Sequence, residues 1–325
     1  MTTDKSLTLA EPKTLTEGAN VRALARLWLD SLALQVRAGE LSDASRRTYQ
    51  IGLEKFLTWT DRRKAVSDDV IREWIADLRD DKRTPTTINT WLAGVRSFFA
   101  WAFRNRHLPY NPTNGIHGAK RSGTSKKHRR DALTDREVLR VLETPNSETP
   151  EGKRDAAILA VMAYCAARQS DLQRADLDYL QTIGGRLVLA VRGKGRAEKD
   201  EVLVIAHPDA EGALRDWLVA RGDEPGALFV SLSNRTRGAR LSSRAIRDLV
   251  KRHFQKAGVR GDRKTTHSLR HTAITNAVKH GAPVQKVQAM ARHANIATTM
   301  IYDHETDRVE NPAEQFIRYD DEKPR

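Results

Sequence analysis

The sequence predicts a mainly α-helical protein of two domains: an N-terminal helical bundle, then a mixed α/β domain with a small antiparallel sheet. Three observations carry this prediction. Apolar residues recur at helical spacing along most of the chain. Its 325 residues exceed the roughly 100 to 200 that usually share one core. Strand-like runs are few, and the clearest pair, Arg186 to Val191 and Glu201 to Ile205, is joined by the turn Gly193-Lys194-Gly195.

Taken in order, residues 1–18 are polar, contain Pro12 and Gly18, and read as a flexible lead. The bundle spans 19–108. Leu24, Leu27, Trp28 and Leu32 mark one helix, and Tyr49, Leu53, Phe56 and Leu57 a second after the cap-like Ser42-Asp43. Ser67 opens a helix bearing Val70, Ile71, Trp74, Ile75 and Leu78, and Thr84-Pro85 another bearing Ile88 to Ala102. Residues 109–130, with Pro109, Asn111-Pro112 and Asn114-Gly115, read as a linker. Its cations Lys120, Arg121, Lys126, Lys127, Arg129 and Arg130 suit either a solvated tether or a strap along a phosphate backbone. The second domain spans 131–310. Thr134 can cap its first helix, Arg154 to Ala167 forms a core helix, and helices follow from Ala213 to a last short one near Ile296 to Tyr302. The tail, 311–325, carries Phe316-Ile317.

Lysine and arginine total 56 against 42 acids, a formal charge of +14 spread over the whole chain, which points to a polyanionic partner. One cysteine, Cys165, excludes an internal disulfide framework or a cysteine-based zinc site and fits a reducing cytoplasm. The sequence holds no apolar run long enough to span a bilayer.

The chemistry concentrates in the second domain. His267 and Arg270 are three apart at a helix start, where an anion is favoured. Farther on, His293 precedes Tyr302 by nine residues with a turn between. In order and spacing these four resemble the closing signature of the tyrosine recombinase (phage integrase) family: His-x-x-Arg, a second histidine and a nucleophilic tyrosine. The resemblance extends to Tyr164 through Leu172, which implies that Arg168 binds phosphate with Asp171 as local support. It extends also to Lys194 as the hairpin lysine that protonates the leaving 5′ oxygen. Thr86 to Ile116, with Arg96 implied as a DNA contact, looks like the last helix and exit loop of the family's SAM-like core-binding domain. Two departures stand out. Arg292 precedes the second histidine where glycine is common, and Ala166-Ala167 replaces the frequent Gly-Leu.

The resemblance implies site-specific recombination of double-stranded DNA through a 3′-phosphotyrosine and a Holliday junction, without cofactor or metal. It implies a monomer in solution that forms a homotetramer on two duplexes with inverted half-sites. The short stretch ahead of Val21 favours the simpler architecture of Xer-like and Cre-like members, with a transposon or phage integrase lacking the arm domain as the other reading, and the tail after 310 either caps its own domain or is exchanged between protomers. Other readings of the same residues are a type IB topoisomerase and a non-catalytic DNA-binding protein on this fold. His267 and His271 have a helical metal spacing, but no Glu follows His267, and Arg270 would set a cation beside the metal. Tyr319 is a rival nucleophile set among acids that would repel a phosphate.

Overall fold

The computed structural model describes residues 15–16, 18–60, 65–120, 132–191, 201–261 and 263–303, with 15–16, 18–20, 65 and 301–303 as backbone only. The chain divides into two compact units, Met1–Thr124 and Ser125–Arg325.

The first unit holds α1 (Gly18–Arg37), α2 (Asp43–Thr60), α3 (Asp68–Asp80) and α4 (Pro85–Arg104), with a two-residue ladder between β1 (Leu15–Thr16) and β2 (Ala65–Val66). β1 and the start of α1 thus fall within the segment expected to be a flexible lead. The helix starts follow capping chemistry: the Ser67 hydroxyl accepts from the Val70 N–H at 3.3 Å, and the Thr84 hydroxyl from the Thr87 N–H at 3.2 Å. α2 and α4 cross closely because each carries glycine at the contact. A Cβ on Gly52 would overlap the Trp91 carbonyl, and one on Gly94 the Tyr49 carbonyl. The core beneath is aromatic, with Phe56 edge-on to Trp74 at 5.1 Å and Phe98 to Phe99 at 4.9 Å. Arg96 donates to the Ile116 carbonyl and so pins the segment after α4. Lys120 is exposed, and Arg121, Lys126, Lys127, Arg129 and Arg130 lie outside the described residues.

In the second unit come α5 (Asp135–Leu142), α6 (Pro150–Tyr164), α7 (Gln169–Arg174), a 3₁₀ turn, then β3 (Leu180–Ile183), β4 (Arg186–Val191) and β5 (Glu201–Ile205). There follow α8 (Pro208–Arg221), α9 (Ser243–Lys256), α10 (Thr266–Lys279), α11 (Val284–Ala291) and α12 (Ala297–Asp303). The sheet is antiparallel in order β3-β4-β5, with Leu187 opposite Ile205 and Leu189 opposite Leu203. Thr134 and Glu137 close a reciprocal capping box at α5. α6 is the central helix: Ala157 through Met162 are buried, and α8 and α10 pack on it. Cys165 at its end is buried, and burial pushes its thiol up to about 12, so it is a packing residue rather than a nucleophile. No described helix is long and apolar enough to cross a membrane.

Candidate active site

Three turns build the site. At the first, α6 ends and the chain reverses through Ala166, which adopts left-handed backbone (φ 50°). Arg168 then caps α7, its N–H donating to Asp171 Oδ2 at 2.8 Å. The second is the start of α10, which carries His267 exposed and Arg270 buried. The third is the end of α11, where Arg292 takes φ 50°, ψ 52° and turns the chain toward α12.

The two arginines meet at that third turn. Arg168 donates through Nη2 to the carbonyls of Arg292 at 2.7 Å and Ala291 at 3.3 Å. Arg270 donates to the same Ala291 carbonyl and to that of Ala166. Two guanidiniums from distant parts of the sequence are thereby fixed around one oxygen, with their planes set by main-chain acceptors. Both departures from glycine noted above fall in these turns. Ala166 and Arg292 are the two residues of this unit, among those described, that adopt left-handed backbone without being glycine. In each turn the carbonyls are aimed at an arginine.

The same turn presents His293. Its Nδ1 lies 2.9 Å from the Oγ1 of buried Thr299, and its carbonyl accepts from Gln288 Nε2 at 2.9 Å. Thr299 sits one turn ahead of Tyr302 on α12, so the histidine ring is tied to the helix that carries the tyrosine. Tyr302 itself is described as backbone within that helix, and Lys194 lies outside the described residues. Among the six residues expected to act together, the structure brings Arg168, Arg270 and His293 to one turn. His267 lies one turn of helix from Arg270.

Carboxylates balance the cations. Asp171 pairs with the Arg292 guanidinium, while Glu201, the first residue of β5, lies 3.9 Å from Arg168 Nη1 and 3.3 Å from Arg292 Nε. Burial lowers the basicity of Arg292, an effect offset by Asp171 and Glu201 and reinforced by Arg168. Glu201 and Thr299 were not anticipated as site residues. Glu201 reads as an ordinary strand residue, and its role emerges only when the strand is set beside α7. His271 is buried, as expected for a helix-packing residue. Among the described residues no group of three or more His, Cys, Asp or Glu is arranged to hold a metal ion.

The chain is similar to known proteins in sequence and in fold. The phage integrase family profile matches residues 131–308, and that of the phage integrase N-terminal SAM-like domain matches residues 27–106. Tyrosine recombinase XerD of Pseudomonas aeruginosa is 29% identical over 293 residues, covering 87% of this chain and 91% of its own. Tyrosine recombinase XerC of Corynebacterium glutamicum is 31% identical over 241 residues, 72% of each chain. In fold, the chain is similar to XerH site-specific recombinase in a post-cleavage complex with palindromic difH substrate. That likeness has a TM-score of 0.70 at 15% identity and covers 94% of this chain and 98% of the other. A lambda integrase tetramer bound to a Holliday junction gives a TM-score of 0.65 at 16% identity, over 96% and 80%. The chain belongs to the phage integrase family and is a tyrosine-type recombinase, a DNA strand-transferring enzyme.

Proposed function

We propose that the protein recombines specific DNA sites by nucleophilic attack of Tyr302 on a phosphodiester held by Arg168 and Arg270. The observation that carries this reading is the convergence of those two guanidiniums on the Ala291 carbonyl, in the turn that leads from His293 to the tyrosine helix. A pair of fixed cations beside a histidine suits a phosphate whose charge grows in the transition state.

In the proposed cycle the Tyr302 oxygen forms a bond to phosphorus as the bond to the 5′ oxygen breaks, leaving a 3′-phosphotyrosine. Arg168, Arg270 and His293 stabilise charge on the nonbridging oxygens, His267 takes the phenolic proton, and Lys194 gives one to the departing 5′ oxygen. The 5′ hydroxyl of the partner strand then attacks the phosphotyrosine and releases the enzyme. The phosphodiester energy is kept in the covalent link, so the cycle closes without a nucleotide cofactor. Two rounds, staggered across four protomers on two duplexes with inverted half-sites, pass through a Holliday junction. The basic segment from Lys120 to Arg130 tracks the phosphate backbone between the two domains in this scheme. The boundaries 19–108 and 131–310 are our proposed limits of those domains.

The test is Tyr302→Phe on nicked duplexes that trap the covalent intermediate. The variant is expected to bind DNA with unchanged affinity and to form no adduct. Recombination by the variant would refute the assignment.

A further inference from the structure

Arg292 is the unusual residue of the site. Its left-handed backbone, φ 50° and ψ 52°, is one that a residue with a side chain adopts only at a cost. The side chain it carries there is a cation, only 4% exposed and opposed by the charge of Arg168. Such a residue needs compensation, and the structure supplies it through a closed ring of contacts. The Arg292 guanidinium donates to Asp171 Oδ2; the same oxygen accepts from the Arg168 N–H at 2.8 Å; and the Arg168 side chain donates to the Arg292 carbonyl at 2.7 Å. Outside the ring stands Glu201, 3.3 Å from Arg292 Nε and 3.9 Å from Arg168 Nη1.

Two roles for Arg292 can be separated by its partners. Arg168 and the buried Arg270 donate to neutral main-chain carbonyls, which a phosphate can join, whereas the Arg292 guanidinium is turned inward onto the Asp171 carboxylate, which a phosphate would have to displace. Its effect is therefore exerted through its neighbours. Removing it would take from Asp171 its ion-pair partner and leave Glu201 paired with Arg168, 3.9 Å away, and a carboxylate paired with Arg168 competes with the phosphate that arginine is there to bind.

We propose that Arg292 is a positioning residue that keeps Asp171 and Glu201 from neutralising Arg168, with Glu201 as the counter-ion that makes an arginine tolerable at this left-handed turn. The proposal rests on the recombinase reading of Arg168 and Arg270. It extends the anion site from the arginine pair to a five-residue charge network in which the first residue of β5 sets the strength of the phosphate grip.

The test uses the full chain and a pool of nicked duplexes with randomised arms, from which covalent protein–DNA adducts are recovered. Adduct formation at saturating protein, DNA affinity and melting temperature are measured for wild type, R292G, R292K, E201Q and R292G/E201Q. R292G is expected to slow adduct formation about tenfold at unchanged DNA affinity, and E201Q added to it to recover most of that loss, a coupling within the usual range for contacting charges. R292K, which keeps the cation, should fall between wild type and R292G, a rescue that simple turn packing would not give. Wild-type rates for R292G, or additive losses in the double variant, would overturn the proposal. Should R292G melt too low to assay, the R292K and E201Q rates decide in its place: wild-type rates for both would overturn the proposal equally. Absence of any adduct from the wild-type chain is a different outcome, and it would refute the recombinase reading together with the role built on it.

Discussion

Arg168 and Arg270 do different work although they share an acceptor. Arg270 is buried and donates to the Ala166 and Ala291 carbonyls, so it braces two turns as well as offering charge. Arg168, more exposed, is the arginine whose charge the acids contest. Arg270→Ala is therefore expected to lower both melting temperature and cleavage rate, whereas Arg168→Ala should lower the rate with little change in stability. Each rate loss should be about 10² to 10³-fold, the range for removing one transition-state donor. Single-turnover cleavage alongside thermal denaturation checks both, and an Arg168→Ala variant that cleaves normally would contradict the assignment. Arg270 and His293, which the structure brings to one turn, could be picked out in the sequence because each sits in a short motif of residue types suited to phosphate chemistry. Glu201 and Thr299 could not, since a strand-start acid and a helix threonine have no distinguishing local pattern. Their partners come from other elements, and the fold alone brings them together.

At the scale of elements, the helices announced by caps were legible: Ser67, Thr84 and Thr134 each accept an N–H in the first turn of the helix they precede. α6 begins earlier than its apolar run suggested, because Thr149 and Pro150 supply cap and first residue ahead of Arg154. β3 was missed. Its four residues show no strong alternation, yet Gly184 and Gly185, both at positive φ, make the two-residue hairpin turn that could have revealed it. α7 was also unread, being six residues long with a polar sequence. The α2–α4 crossing depends on two glycines that look unremarkable within their helical patterns. Since a Cβ at Gly94 would overlap the Tyr49 carbonyl, Gly94→Ala is expected to destabilise the first domain by about 1–3 kcal/mol despite alanine's better helix propensity. Chemical denaturation measures this, and a stabilised variant would show that the helices do not cross so closely.

On the scale of the whole molecule, the two-domain division and the +14 charge were both visible in the sequence, because domain size and net charge do not depend on knowing any contact. Binding to duplex DNA should accordingly fall steeply and linearly with salt on logarithmic axes, by roughly 10³-fold or more between ~50 and ~200 mM if six or more phosphates are neutralised. Fluorescence anisotropy across that range reads the slope, and a flat response would leave the cationic surface without its partner. On the proposed mechanism one phenol, that of Tyr302, becomes bonded to DNA. Nuclease digestion of the trapped adduct, followed by peptide mass spectrometry, reads that bond directly. A nucleotide remnant is expected on the peptide containing Tyr302; a remnant on Tyr319, or on no tyrosine at all, would overturn the assignment of the nucleophile.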